Sequence, residues 1–293
     1  MQLRLATRGS AQATAQSMAV AEALMAAHPG LVVELLLVET MGDRRTDVPL
    51  HSIGGQGVFV KEVQRAVLDG DADLAVHSAK DLPSAPADGL EIAAFCERRD
   101  PRDALIGCTL AGLPPGATVA TGSVRREAML RAVRPDLVFV ELRGNIHTRL
   151  TKVPDGGALV MAVAALQVLG LTDRIAETLS VDVMIPSPGQ GCVAVECRAG
   201  DAATATVLAA VDHGPTRAAV TAERAFLAEL GTGCSLPVAA YAAGDLLHGF
   251  LADPASGRSV RAVTTLAPGD DLDTRRRQAA QLAATLRTEL GAE

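Results

Sequence analysis

Lys80 and Asp81 stand side by side in the run Val76-His77-Ser78-Ala79-Lys80-Asp81-Leu82-Pro83, directly after the short apolar segment Ala72–Val76. The segment reads as a strand, and Pro83 blocks further ladder pairing. In open α/β sheets, ligands and reacting groups collect beyond the ends of strands. A lysine there can hold an anion while the adjacent carboxylate stabilises a cation. Taken alone, such a pair is most often a solvated loop, so its weight depends on what else the chain carries. Three further junctions carry arginine beside small hydroxyl residues and glycine. Thr7-Arg8-Gly9-Ser10, Thr121-Gly122-Ser123-Val124-Arg125-Arg126 and Arg143-Gly144-Asn145-Ile146-His147-Thr148-Arg149 each lead into an expected helix. Helix N-termini favour anions, and the planar guanidinium fork matches a carboxylate. Singly, each is a capped helix with an exposed arginine. Together they point to a cleft for a ligand bearing several acidic groups. The last candidate is Cys234, in the glycine-flanked run Leu230-Gly231-Thr232-Gly233-Cys234-Ser235-Leu236-Pro237. A loop cysteine is usually incidental, and no base lies near it in sequence to activate it.

The whole chain restricts what these residues can serve. Its 293 residues exceed one ordinary core and imply two or three domains. A charge of −7, no tryptophan and a single tyrosine argue against a nucleic-acid surface. The N-terminus lacks the apolar core of a signal peptide, and no apolar run is long enough to span a bilayer. Five cysteines without C-x-x-C spacing suggest neither a disulfide framework nor a zinc site, and no metal is expected. Cys96, Cys108, Cys192 and Cys197 read as small core residues. The expected compartment is the cytoplasm.

Strand and helix patterns alternate over the first two-thirds. Strands are expected at Leu3–Ala6, Leu31–Val38 (buried on both faces), Asp73–Val76 and Leu90–Phe95, with helices from Ser10 to Ala27 and over Val58–Leu68. The charged run Glu97–Asp103 reads as a crossing between domains. The pattern restarts with strands Ala104–Cys108, Thr118–Thr121, Leu137–Leu142 and Ala158–Ala162, and with helices Val124–Val133, from Asn145, and Ala164–Leu169. After Ile185–Gly191, Cys192–Cys197 reads as a strand returning to the first sheet. The texture then changes to a long helix reaching Leu230, strands near Val238–Tyr241 and Val260–Thr264, and a helix from Asp273 to Leu290. Alternation of this kind implies βαβ units and mainly parallel mixed sheets.

Nine segments together resemble the porphobilinogen deaminase (hydroxymethylbilane synthase) family, in family order over nearly the whole chain. They are Ala6–Ser10, Gly54-Gly55-Gln56-Gly57-Val58-Phe59-Val60-Lys61-Glu62, Val76–Pro83, Gly122–Arg126, Arg143-Gly144-Asn145, Pro188-Gly189-Gln190-Gly191, Val195-Glu196-Cys197-Arg198, Thr221-Ala222-Glu223-Arg224 and Gly233-Cys234-Ser235-Leu236-Pro237. The resemblance implies two lobes like those of type II periplasmic binding proteins and a small C-terminal α+β domain. The corresponding ranges are 1–98 with 192–212 returning to it, 99–191, and 213–293. It implies a dipyrromethane cofactor joined to Cys234 by a thioether. Four porphobilinogen molecules are condensed onto it with loss of ammonia, and hydrolysis releases a linear tetrapyrrole. It implies that Asp81 is catalytic and contacts pyrrole N–H groups. Lys80, Thr121, Ser123, Arg125, Arg126, Arg143 and Gly144 would hold the cofactor with it, and Arg8, Ser10 and Arg149 the substrate. The expected partner is porphobilinogen, with no nucleic acid or membrane, and the expected state is a monomer.

The sequence departs from the family pattern at several positions. Val168 stands where an arginine is usual before Leu-Gly, Ala79 replaces a common methionine, Gln56 a frequent lysine, and His147 an aspartate or glycine. Two other classes compete. A non-catalytic binder of an acidic ligand would need neither Asp81 nor Cys234, and a cysteine hydrolase would need a paired base that none of the motifs supplies.

Overall fold

The structure is a computed structural model and describes residues 1–40, 57, 59–231 and 237–291. In chain order its strands are β1 (Gln2–Arg8), β2 (Val32–Val38), β3 (Leu74–Ser78), β4 (Leu90–Phe95), β5 (Asp103–Ile106), β6 (Thr118–Ala120), β7 (Val138–Val140), β8 (Ala158–Ala162), β9 (Glu177–Thr178), β10 (Val193–Arg198), β11 (Val238–Ala243), β12 (Leu246–Ala252) and β13 (Ser259–Thr265). The chain divides into two compact units, Met1–Arg98 with Cys192–Arg217, and Arg99–Gly191 with Ala218–Glu293.

The first unit holds a five-stranded sheet in the order β2-β1-β3-β10-β4. β1 runs parallel to β2 and β3, and the returning strand β10 runs antiparallel to both β3 and β4. Side chains alternate between two cores, as the period-two geometry of a strand demands. Leu3, Leu5, Leu74, Val76 and Val195 face the helix Ala11–Ala27 with its Val20 and Leu24. Ala6 and Ala75 face the helix Lys61–Leu68 with its Val63 and Val67.

The second unit repeats this topology as β7-β6-β8-β5-β9, with β6 parallel to β7 and β8, and β5 antiparallel to β8 and β9. This duplicated mixed order fits the pair of similar lobes that the resemblance implies. A three-stranded antiparallel sheet, β11-β12-β13, completes the unit. One of its faces places Ala239, Phe250 and Ala252 in the core built by Leu105, Val119, Met129, Leu130 and Val160. The other face places Ala240, Leu247 and Leu251 against Phe226, Leu282 and Leu286 of the helices Gly214–Glu229 and Leu272–Leu290.

Several expectations change. The Leu31–Val38 strand is not buried on both faces: Val32 and Leu37 are 50% and 59% exposed, because β2 lies at the sheet edge. The helix expected over Val58–Leu68 begins at Lys61; Gly57 takes a φ of 87° and its carbonyl accepts from the Val60 N–H at 2.9 Å, turning the chain first. Val58 and the preceding glycines 54 and 55 lie outside the described residues. Asp103, expected in the crossing between domains, is the wholly buried first residue of β5. β9, β12 and the helix Ala202–Leu208 have no counterpart among the expected elements. In β12 the cause is Gly249, which weakens a strand pattern. A Cβ there would sit 2.8 Å from Phe226 and 3.0 Å from Leu286. Glycine is therefore what lets that helix pair approach the sheet. Gly249→Ala should lower stability by about 1–3 kcal/mol through overpacking. A lower urea midpoint at unchanged m-value is the expected result; an unchanged midpoint would show that the helices shift freely.

Candidate functional site

In the first unit, β3 ends in a single 3-10 turn, Ala79–Asp81. The Ala79 N–H donates to the Cys192 carbonyl at 2.9 Å and the Leu82 N–H to the Ala79 carbonyl at 3.3 Å, so the turn is pinned to the start of the returning strand. Ser78 donates from Oγ to Gln16 Oε1 at 3.1 Å, tying the same strand end to the first helix. Lys80 and Asp81 are half-buried there. Among the described residues, no hydrogen bond or ion pair reaches the Asp81 carboxylate. Beside it, at the end of the parallel neighbour β1, the Arg8 guanidinium lies 4.0 Å above the Phe59 ring. Ser10 caps the following helix by accepting from the Ala13 N–H at 3.3 Å. The structure thus brings Arg8, Ser10, Lys80 and Asp81 to the carboxyl ends of two adjacent strands. Beneath them a buried polar group supports β3. Gln64 donates to both Glu196 oxygens at 3.1 and 2.9 Å, and His77 Nε2 lies 3.1 Å from Glu196 Oε2.

The second unit gathers its candidates at the ends of β6 and β7, again parallel neighbours. Thr121 is buried and its Oγ1 accepts from the Ser123 N–H at 3.2 Å; Ser123 caps the helix Val124–Val133 through the Arg126 N–H at 3.4 Å. Arg125 and Arg126 are not exposed arginines on a capped helix. They are 5% and 8% exposed, and both reach the Asp103 carboxylate. Arg125 donates to Asp103 Oδ2 at 2.7 Å and to the Ile185 carbonyl at 2.7 Å. Arg126 donates to Asp103 Oδ1 from Nε at 3.0 Å and from Nη2 at 2.7 Å, and to the Val160 carbonyl at 2.9 Å. Two guanidiniums share one carboxylate, so the buried cluster keeps a net positive charge. Burial pulls the Arg125 guanidinium below its usual value, a fall that Asp103 opposes and Arg126 reinforces. A further charge drawn to a net positive cluster is an anion.

At the end of β7, Asn145 caps the short helix Ile146–Leu150 through the Thr148 N–H at 2.9 Å. Gly144 has a φ of 117°, and a Cβ there would sit 2.9 Å from the Thr148 methyl, so only glycine fits. Its carbonyl accepts from Arg149 Nε at 2.8 Å. Arg143 and Arg149 are half-buried. Val168, the last residue of the helix Val163–Val168, is also half-buried and does not sit in a dry core.

Among the buried polar residues that escaped the sequence reading are Asp103, Gln190 and Glu223. Asp103 opens an apolar strand within a charged run, where it looks solvated. Gln190 and Glu223 belong to segments noted for their resemblance but given no role. Their only sequence signal is position inside motifs whose other residues have assigned jobs. Of the cysteines, Cys96 and Cys197 are pushed up to about 11, chiefly by burial, which leaves both thiols protonated at neutral pH. Cys234 and its flanking residues lie outside the described residues.

The family model described as porphobilinogen deaminase, dipyromethane cofactor binding domain, matches residues 3–206, and that described as porphobilinogen deaminase, C-terminal domain, matches residues 217–288. The chain is 49% identical over 293 residues to a porphobilinogen deaminase from Acidothermus cellulolyticus, covering 96% of this chain and 88% of that one. It is 53% identical over 245 residues to one from Thermobifida fusca, covering 82% and 76%. Among solved structures, the methionine binding protein MetQ is similar over 71% of this chain and 88% of its own, at 13% identity and a TM-score of 0.45. With the matched models spanning both units and a dipyrromethane-binding domain among them, the chain belongs to the porphobilinogen deaminase family and is an enzyme of tetrapyrrole biosynthesis.

Proposed function

We propose that the chain is a transferase of the hydroxymethylbilane synthase type, with Asp81 as its catalytic residue. The observation that carries this reading is the Asp81 carboxylate, half-buried at a strand end beside Lys80 and without a partner among the described residues. A carboxylate held in that position by a turn pinned to β10 is available to a cation or to N–H donors. The donors of the second unit suit a dipyrromethane bearing acidic side chains: the net positive Arg125–Asp103–Arg126 cluster attracts carboxylates, and Arg143 and Arg149 flank Gly144 on the next strand end. When bound, the dipyrromethane supplies the pyrrole carbon onto which four porphobilinogen units are condensed, before hydrolysis frees the linear product.

The chain's own residues then divide the work. Arg125, Arg126, Arg143, Thr121 and Ser123 hold cofactor carboxylates, Gly144 keeps their loop open, and Cys234 provides the anchoring sulfur. Arg8, Ser10 and Arg149 hold carboxylates of the incoming porphobilinogen. Lys80 supplies a further cation beside Asp81. As ammonia leaves the incoming molecule, positive charge develops on it, and Asp81 faces that charge and accepts from the pyrrole N–H. Such a preorganised carboxylate is worth about 3 kcal/mol in a water-excluded site. The same reading includes monomeric action in the cytoplasm, for gel filtration and cell fractionation to check.

Three outcomes are expected. Intact mass should show an adduct on the purified protein that Cys234→Ser removes and Cys96→Ala does not; an adduct mapped to a peptide lacking Cys234 would refute the anchor. Asp81→Asn should lower turnover by about a hundredfold or more, since each ~1.4 kcal/mol is a factor of ten, with melting unchanged. Turnover near the parent's would sink the role. Val168→Arg should load a half-exposed helix end without a folding penalty and reduce the accumulation of one partly elongated intermediate seen by mass. An unchanged intermediate profile would remove Val168 from the ligand path.

A further inference from the structure

The Pro188-Gly189-Gln190-Gly191 loop takes no part in the roles above, yet its glutamine is 1% exposed and held at every donor that the geometry describes. Gln190 Nε2 donates to the Pro101 carbonyl at 2.7 Å and to Asp103 Oδ1 at 3.0 Å. That oxygen also accepts from Arg126 Nε at 3.0 Å and Nη2 at 2.7 Å, while Oδ2 takes Arg125 Nη2 at 2.7 Å. One carboxylate therefore faces two guanidiniums in different directions, and the Gln190 amide helps decide which oxygen faces which. The loop that carries Gln190 is itself fixed. The Gly189 N–H donates to Glu223 Oε2 at 2.7 Å, and Glu223 Oε1 accepts from the Ala242 N–H of β11 at 2.9 Å. Gly191, at a φ of 84°, leaves no space for a Cβ, which would meet the Arg99 carbonyl oxygen at 2.8 Å.

Asp103 alone supplies the negative charge that the arginines share. A glutamine anchored on the Pro101 carbonyl adds direction, and direction is what bidentate carboxylate recognition requires. We propose that Gln190 is a positioning residue: it orients the Asp103 carboxylate and, through it, the planes in which Arg125 and Arg126 present their remaining N–H groups to ligand carboxylates. The proposal rests on the reading that this arginine pair binds those carboxylates. It assigns the loop a part in ligand geometry in addition to chain connection.

The test uses the full-length enzyme as purified. Gln190→Met keeps size and removes both donated bonds. Leu286→Ala, wholly buried on the far face of the C-terminal sheet, serves as a variant destabilised elsewhere in the same unit. The readouts are the fraction carrying the covalent adduct by intact mass, KM and kcat for porphobilinogen, and the melting temperature. Gln190→Met should raise KM by roughly tenfold with kcat within about twofold, or lose a large fraction of the adduct, since small misplacements of positioning groups cost that much or more. Leu286→Ala should lower melting and leave KM and adduct unchanged. If Gln190→Met matches Leu286→Ala in both KM and adduct, the positioning role is overturned. Should Gln190→Met not fold, Gln190→Asn, which keeps the amide but withdraws it, is read by the same measures. Arg125→Gln separates the two levels of the argument: if it too keeps normal KM and adduct, the carboxylate reading of the arginine pair fails and the Gln190 proposal with it. If it loses them while Gln190→Met does not, only the Gln190 proposal falls.

Discussion

The second unit is organised around one carboxylate that has no access to water. Asp103 is fully buried, and an isolated buried charge of this kind is untenable. It is held by two guanidiniums and one amide, each of which is in turn fixed by a backbone carbonyl: Ile185 for Arg125, Val160 for Arg126 and Pro101 for Gln190. Removing one member of such a set would strand the others, at a cost of about 3–5 kcal/mol for a broken buried pair. The start of β5, the first turn of the helix Val124–Val133 and the Pro188–Gly191 loop are thereby locked together. The charges of the two guanidiniums and the one carboxylate do not cancel.

Asp81 presents the opposite case. It too is an aspartate at a strand terminus, but it is half-exposed and its carboxylate has no partner among the described residues. The two aspartates differ by environment alone: one is enclosed by its partners, the other reaches solvent. The turn that carries Asp81 owes its position to backbone bonds from Ala79 to Cys192, and beneath it to the Gln64–Glu196 and His77–Glu196 contacts. Parallel neighbours end on the same side of a sheet: β1 with β3 places Arg8 with Lys80–Asp81 in one sheet, and β6 with β7 places Thr121–Arg126 with Arg143–Arg149 in the other.

Much of this was legible in the residues. Alternating apolar segments determined the two mixed sheets, because a strand or helix that cannot bury its apolar face cannot persist. Ser10, Ser123 and Asn145 marked three helix starts correctly, because capping is local and needs only neighbours three residues away. Asp81 and the arginines were identifiable because their motifs are contiguous. The burial of Arg125 and Arg126 on Asp103 was not identifiable, since the partners lie more than twenty positions apart and any of the charges in that run could equally have been solvated. The same holds for Gln190, 87 positions from Asp103, for Gly249, whose need appears only when two helices close over it, and for β2, whose exposure follows from being at a sheet edge. Sequence by itself determined which chemistry the chain can offer and where the capped helices begin. Tertiary structure decided which charges water could reach, because desolvation depends on neighbours that only the folded chain brings together.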